Sequence, residues 1–460
     1  MPAERLSGLD ASFLYLEKPA VHMHVAGLSV FGPREDGSSL GYDDVERVVE
    51  ARLRLAPRLR RKILPVPANI SRPVWVDDDR FDLDFHLRHA SVPAPGERFQ
   101  LERAAGRVLS RPLDRTKPLW ELYVYEGLAG DRTAVLLKLH HAMADGIGGM
   151  MIASALFDLA PNAPLGSPDE PWVPQPAPPA QDLIRDAVED VVMHPIQGLA
   201  HAARRPRLLA ETVAATADAL RTVAGMGAPP TGPFDGRVGP NRRFATVERP
   251  FEVFRRVKDR LGVTVNDVVM SAVAGGIHAL LERRGEPTRG RTLRALVPVS
   301  VRSPGESGDM GNRVAPVFVD VPVGRMAART RLRRVRAATA RIKETGMAVG
   351  ADTIIGLGAY APPALHATAA RLVAQAHWCN VVVSNIPAPQ VPLYLAGARL
   401  EASYPAMNLK EDCGLSVACT SAAGTMAFGL TADWDLVPDI DVLVRGIGSA
   451  IDDLDAAAGP

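Results

Sequence analysis

Residues 161–180, PNAPLGSPDEPWVPQPAPPA, hold eight prolines and almost no apolar periodicity. Proline fixes φ and lacks the amide that a helix interior or a central strand requires, so neither element can run through this segment. It reads as an extended, stiff connector. A helical stretch follows from Asp182 to about Ala224, and a turn-rich loop, GAPPTGPFDGRVGPNRR, ends at Arg243. The chain is thereby divided into an N-terminal part (1–160), a proline-rich and helical crossover (161–240) and a C-terminal part (241–460). With 460 residues it is about two to three times the usual single-domain length, which suits two large units.

Both parts mix strands with helices. In the first, HMHVAGLSVF and RTAVLLKLHH read as strands, and YDDVERVVEARLRLA and FQLERAAGRVLS as helices. In the second, TLRALVPVSV, NRVAPVFVDVPV and GTMAFGLTAD are strand-like and VNDVVMSAVAGGIHALLERR is helical. The expected class is α/β (α+β) with two related halves.

Several function classes fall on composition. Lys plus Arg number 53 against 52 Asp plus Glu, a net charge of +1, whereas a dedicated nucleic-acid binder is strongly basic. Cys379, Cys413 and Cys419 show no CxxC spacing, which suits a reducing cytosol and small buried side chains. The opening MPAERLSGLDASFLYLE carries Glu4, Arg5 and Asp10, so a secretory signal is not expected. The stretch from Thr353 to Ala398 has one charge, Arg371, but Pro362, Pro363, Pro387, Pro389 and Pro392 interrupt it. It is expected to be core, the lining of an apolar channel, or a membrane-touching patch rather than a transmembrane helix.

AVLLKLHHAMADGIGGM, residues 134–150, is the segment richest in chemistry. Alternate strand residues share a face, so Val135, Leu137, Leu139 and His141 point one way while Leu136, Lys138 and His140 point the other. Adjacent side chains diverge, which argues against a metal held by the two histidines. A neutral imidazole with a pKa near about 6.5 can take a proton from a hydroxyl or thiol at working pH. His141, at the end of the wholly apolar face, is the candidate base. Asp145 follows four residues later, where it fixes the turn. No GxSxG elbow offers a nucleophile, so an activated alcohol would attack a thioester directly.

At these residues the sequence resembles the bacterial wax ester synthase/acyl-CoA:diacylglycerol acyltransferase family. HHAMADG matches its HHxxxDG signature, shared with chloramphenicol acetyltransferases, carnitine acyltransferases and peptide-synthetase condensation domains. LSGLDASFLYLE, FDLDFHLRHASVPAPG, PLDRTKPLWELYVYEGL, TVNDVVM, LVPVSVR, GNRVAPVFV, VVVSNIPAPQVPLYLAG and FGLTADWDLVPD extend the likeness over nearly the whole chain except the crossover. Ala388, Ala422 and Asp235 depart from the family pattern, away from the HHxxxDG residues.

The resemblance implies chloramphenicol acetyltransferase-like halves with an active-site tunnel between them. It implies catalytic residues His141, His140, Asp145 and Asn266, with Asn266 supporting the oxyanion or the base. Thr264 and Asp267 are also spaced as a capping box, and Pro118, Leu119 and Trp120 read as structural. The implied activity is esterification of diacylglycerol, long-chain alcohols or both by acyl-CoA, without metal or redox cofactor. Two other readings stay open: a donor held on an acyl carrier protein, and a lipid-binding protein without catalysis. Arg52, Arg54, Arg58, Arg60, Arg61 and Lys62 form one basic cluster, and Arg325 to Lys343 a basic amphipathic helix. Either could hold CoA phosphates, and the helix could instead touch an anionic membrane or present a solvated face. A cytoplasmic protein is expected, peripheral on the inner membrane or lipid bodies, with acyl-CoA and an acceptor lipid as partners and no nucleic acid.

Overall fold

The computed structural model describes residues 4–143, 155–165, 172–189, 225, 227–300, 314–344, 366–368, 371 and 377–459. Two six-stranded mixed sheets, each covered by helices, form the framework. The first contains β1 (His24–Phe31), β2 (Leu87–Ser91), β3 (Trp120–Leu128) and β4 (Arg132–His140) from the N-terminal part. The second contains β5 (Arg242–Pro250), β6 (Thr292–Ser300), β7 (Val314–Pro322) and β8 (Val381–Pro387). After β9 (Tyr394–Leu395) and β10 (Ala398–Ala406), strands β11 (Leu415–Ala422) and β12 (Thr425–Asp433) complete it. The strand orders are β9-β10-β1-β4-β3-β2 and β7-β6-β8-β11-β12-β5.

The chain division read from the prolines is therefore not the division between sheets. β9 and β10 belong to the C-terminal part in sequence but join the N-terminal sheet, where β10 runs antiparallel to β1 with Ala406 opposite Ala26. This crossing brings the sheets close together. A Cβ on Gly429 of β12 would lie 2.0 Å from the carbonyl oxygen of Pro405 on β10. The helix α3 (Arg98–Leu109), which follows α1 (Gly8–Leu16) and α2 (Tyr42–Arg52), adds a second tie. Its Glu102 accepts from the Thr246 backbone N–H at 2.8 Å and hydroxyl at 2.6 Å, on β5.

Alternation on β4 sorts its residues between two cores. Val135 and Leu139 pack with α2, Trp120 and Leu122, whereas Ala134 and Leu136 pack with α3, Tyr404 and Phe244. The C-terminal core is organised by α4 (Phe251–Leu261), α5 (Val265–Arg283), α6 (Ala328–Glu344) and α7 (Ile440–Ala458). α5 is buried along most of its length. It begins as expected: the Thr264 side chain accepts from Asp267 N–H at 3.1 Å, and Asp267 accepts from Thr264 N–H at 2.9 Å. Asp267 also accepts from the Thr339 hydroxyl at 2.6 Å, tying α5 to α6.

Much of the expected crossover helix and much of the apolar stretch 353–398 lie outside the described residues. Within the described part of that stretch, Val381, Val382 and Val383 are interior strand residues. Among the described residues no single helix is long and apolar enough to cross a membrane. Only α4 and α5 taken together pass that test, and they are bent by 107°.

Candidate active site

Two neighbours hold the end of β4. The backbone N–H of His140 donates to Leu119 O at 2.9 Å, and that of His141 donates to Met23 O at 2.7 Å. The His-His peptide is thus pinned between the Pro-Leu-Trp segment on one side and the residues leading into β1 on the other. Trp120 secures its side of this clamp. It is buried, donates Nε1–H to Leu59 O at 2.7 Å, and stacks on His86 with ring centroids 4.4 Å apart. His86 donates Nδ1–H to Trp120 O at 2.7 Å, since a carbonyl can only accept. Burial pushes the His86 imidazole down to about 4.

The two histidines of the motif diverge as strand geometry requires. His140 is wholly buried on the face shared with Lys138. Its Nδ1 accepts the Ala142 backbone N–H at 3.0 Å, which leaves the neutral ring's proton on Nε2. That nitrogen lies 3.6 Å from a Glu17 carboxylate oxygen, an electrostatic contact longer than a hydrogen bond. His24, opposite His140 in the β1–β4 register, places Nε2 3.2 Å from the other Glu17 oxygen. Burial, first among the causes, lowers the affinity of both rings for a proton, and His24 falls to about 3. His141 is half-buried instead. Its ring stacks on Phe13 of α1 with centroids 4.0 Å apart and planes 12° from parallel, and its Nδ1 is shut off from solvent.

Glu17 is the anion of the cluster. Burial alone would raise its carboxyl, but contacts from His140 and His24 and the charge of Arg115 outweigh that and hold it well below the usual carboxylate range. Lys138 is buried too and donates to Val108 O at 3.1 Å and Arg111 O at 2.5 Å. These carbonyls lie in the last turn of α3 and just past its end, and burial pulls the lysine down to about 8. Among the described residues no group of three or more His, Cys, Asp or Glu has an arrangement able to hold a metal ion.

Asp145 lies outside the described residues. Asn266 sits half-buried in the first turn of α5. Among the described residues no hydrogen bond joins it to His140 or His141. The structure thus brings together His140 and His141 with Phe13, Glu17, Met23 and His24, four residues to which sequence reasoning gave no role. Phe13 and Glu17 lie in the opening LSGLDASFLYLE, quoted above as a likeness without individual functions, and Met23 and His24 lie in HMHVAGLSVF, read above only as a strand.

The first basic cluster is not a free phosphate cradle. Arg52 pairs with Asp158 at 2.5 Å, Arg58 and Arg61 with Glu4 at 2.7 and 2.8 Å, and Lys62 with Asp78 at 2.7 Å. The guanidinium of Arg60 lies over the Trp172 ring. On α6, by contrast, Leu332 and Val335 are buried while Arg325 just before the helix and Arg329, Arg333, Arg334 and Arg336 within it face outward. A cavity of about 510 Å³ lies at the far end of β1 and β4 from the imidazoles, lined by Leu28, Val30, Arg98, Glu102, Arg132 and Tyr404 among others.

Comparison with known proteins agrees with this architecture. Residues 6–269 match the family model for the wax ester synthase/diacylglycerol acyltransferase catalytic domain, and residues 310–455 match the model for the C-terminal domain of the same family. A Mycobacterium tuberculosis protein described as a diacylglycerol O-acyltransferase is 33% identical, over 98% of this chain and 90% of its own length. A second from that species is 32% identical over 98% of each chain. The solved wax ester synthase/diacylglycerol acyltransferase from Marinobacter aquaeolei VT8 shares the fold with a TM-score of 0.68 at 24% identity, covering 99% of this chain and 100% of that one. The first condensation domain of the calcium-dependent antibiotic synthetase also shares it, with a TM-score of 0.63 at 14% identity over 99% and 96% of the two chains. The chain therefore belongs to the wax ester synthase/diacylglycerol acyltransferase family and is an O-acyltransferase.

Proposed function

We propose that this enzyme transfers an acyl chain from acyl-CoA to the hydroxyl of diacylglycerol, a long-chain alcohol or both, with His141 as general base. The observation that carries the reading is the division of labour at the end of β4. His140 and His24 are buried, with lowered proton affinity and with Glu17 beside them. His141 is the partly accessible imidazole of the group, held by its backbone and by Phe13. With Nδ1 shut off from solvent, this reading assigns the proton transfer to Nε2.

In this mechanism Nε2 takes the acceptor hydroxyl proton as the oxygen attacks the thioester carbonyl carbon. The tetrahedral oxyanion collapses, the C–S bond breaks, and the proton passes from the imidazolium to the departing thiolate. No enzyme nucleophile and no cofactor enters. His140 acts by position, Asp145 fixes the turn that follows, and Asn266 supports the oxyanion or the base. The outward arginines of α6 supply cations for the CoA phosphates or for peripheral contact with an anionic lipid surface.

The test is a product assay with one acyl-CoA and a panel of alcohols that includes diacylglycerol, the esters being separated by thin-layer chromatography. Ester formation from free acyl-CoA is expected. Transfer only from a carrier-protein-bound acyl group would shift the donor assignment. Lipid binding without ester formation on any acceptor would overturn the catalytic reading.

A further inference from the structure

We infer that Glu17 is a positioning residue for the reaction, a carboxylate that fixes His141 through the peptides on either side of it. The inference rests on the reading of His141 as the base. Glu17 follows the last residue of α1 and is 11% exposed, so an ionised carboxylate is costly there unless its oxygens are engaged. Oε1 accepts the Met23 backbone N–H at 3.4 Å and lies 3.2 Å from His24 Nε2. Oε2 accepts from Arg115 through Nε at 2.8 Å and also through Nη2.

Three paths lead from these contacts to His141. The first runs along the backbone, because Met23, whose N–H reaches Glu17, offers its carbonyl to His141 N–H at 2.7 Å. The second runs through His140. The Glu17 carboxylate faces His140 Nε2 and favours the tautomer protonated there, which frees Nδ1 to accept the Ala142 N–H. The residues before and after His141 are thereby held together. The third runs through α1, whose Phe13 covers the His141 ring. Arg115 fastens the end of this helix by donating to Leu14 O at 3.1 Å as well as to Glu17.

A carboxylate that only anchored α1 would be satisfied by Arg115. Oε1 turns instead toward Met23 and His24, beside the catalytic strand. Glu17 acts through its neighbours, and its effect belongs to the placement of the imidazole rather than to substrate binding. A base displaced by about 1 Å can lose on the order of a hundredfold in rate.

The test compares Glu17→Gln, which keeps the volume but removes the charge, in the native and His141→Ala backgrounds. In the native background kcat should fall by about 10- to 100-fold while KM for acyl-CoA changes by less than about twofold. In the His141→Ala background the same change should cause no further loss, because nothing remains to be positioned. An unchanged kcat, a rise in KM at constant kcat, or a full multiplicative loss without His141 would each overturn the proposal.

Arg115→Gln provides a second reading should Glu17→Gln fold poorly, since that arginine is half exposed. Its kcat should fall by about threefold at unchanged KM, and an unaltered kcat would count against Glu17. The two assignments fail separately. Full activity in His141→Ala removes the base, whereas an inactive His141→Ala beside a fully active Glu17→Gln removes only the positioning role.

Discussion

Lowering the pH from about 7 to 5 should weaken the native state by about 4 kcal/mol through two buried imidazoles alone. His24 and His86 are both buried, and burial is the largest cause of their depressed proton affinity, to about 3 and about 4. In the unfolded chain each would titrate near about 6.5. Below that pH the unfolded state takes up protons that the native state refuses. The stability present above about 6.5 is therefore lost as the pH falls toward the folded values. Each group withdraws about 1.4 kcal/mol per pH unit, or about 2 kcal/mol by pH 5. His140 adds in the same direction. Glu17 adds only below the ordinary carboxylate range, so it does not enter this window. Urea unfolding followed by tryptophan fluorescence at pH 7, 6 and 5 measures the slope directly. His86→Gln should flatten it by about one proton. Stability that stays level or rises between pH 7 and 5 would refute the assignment of these rings as neutral in the folded protein.

Three substitutions test the packing and the capping. Gly429→Ala should destabilise by about 3 kcal/mol or more, because its Cβ would meet Pro405 O at 2.0 Å where the sheets approach. Gly27→Ala, whose Cβ meets nothing within 4 Å, should be neutral or stabilising by up to about 1 kcal/mol; comparing the two thermal midpoints checks both. Thr264→Ala should cost about 1 kcal/mol in urea unfolding by removing the α5 cap seen at 3.1 Å.

The parts of the fold that depend on local pattern were legible in the sequence. Alternation along 132–141 placed His140 and His141 on opposite faces of β4, and the packing of Leu136 and Leu139 into different cores follows that alternation. The spacing of Thr264 and Asp267 marked the start of α5 correctly. What depends on long-range docking was not legible. Nothing in the composition of residues 394–406 says that β9 and β10 leave the C-terminal part for the edge of the N-terminal sheet. The placement of Phe13 and Glu17 against the end of β4 is likewise tertiary, set by contacts between distant parts of the chain rather than by spacing near the motif. The basic run 52–62 misled for a related reason. Its charges are compensated by Glu4, Asp78 and Asp158, and two of these, Glu4 and Asp158, lie far along the chain from it.

The central claim is that one imidazole performs the proton transfer. Purified His141→Ala, shown by circular dichroism and thermal midpoint to be folded like the unsubstituted enzyme, should be assayed for transfer of radiolabelled acyl chains from acyl-CoA to the preferred acceptor. A fall in kcat by about a thousandfold is expected for loss of the general base. Near-normal transfer by that variant would contradict the account.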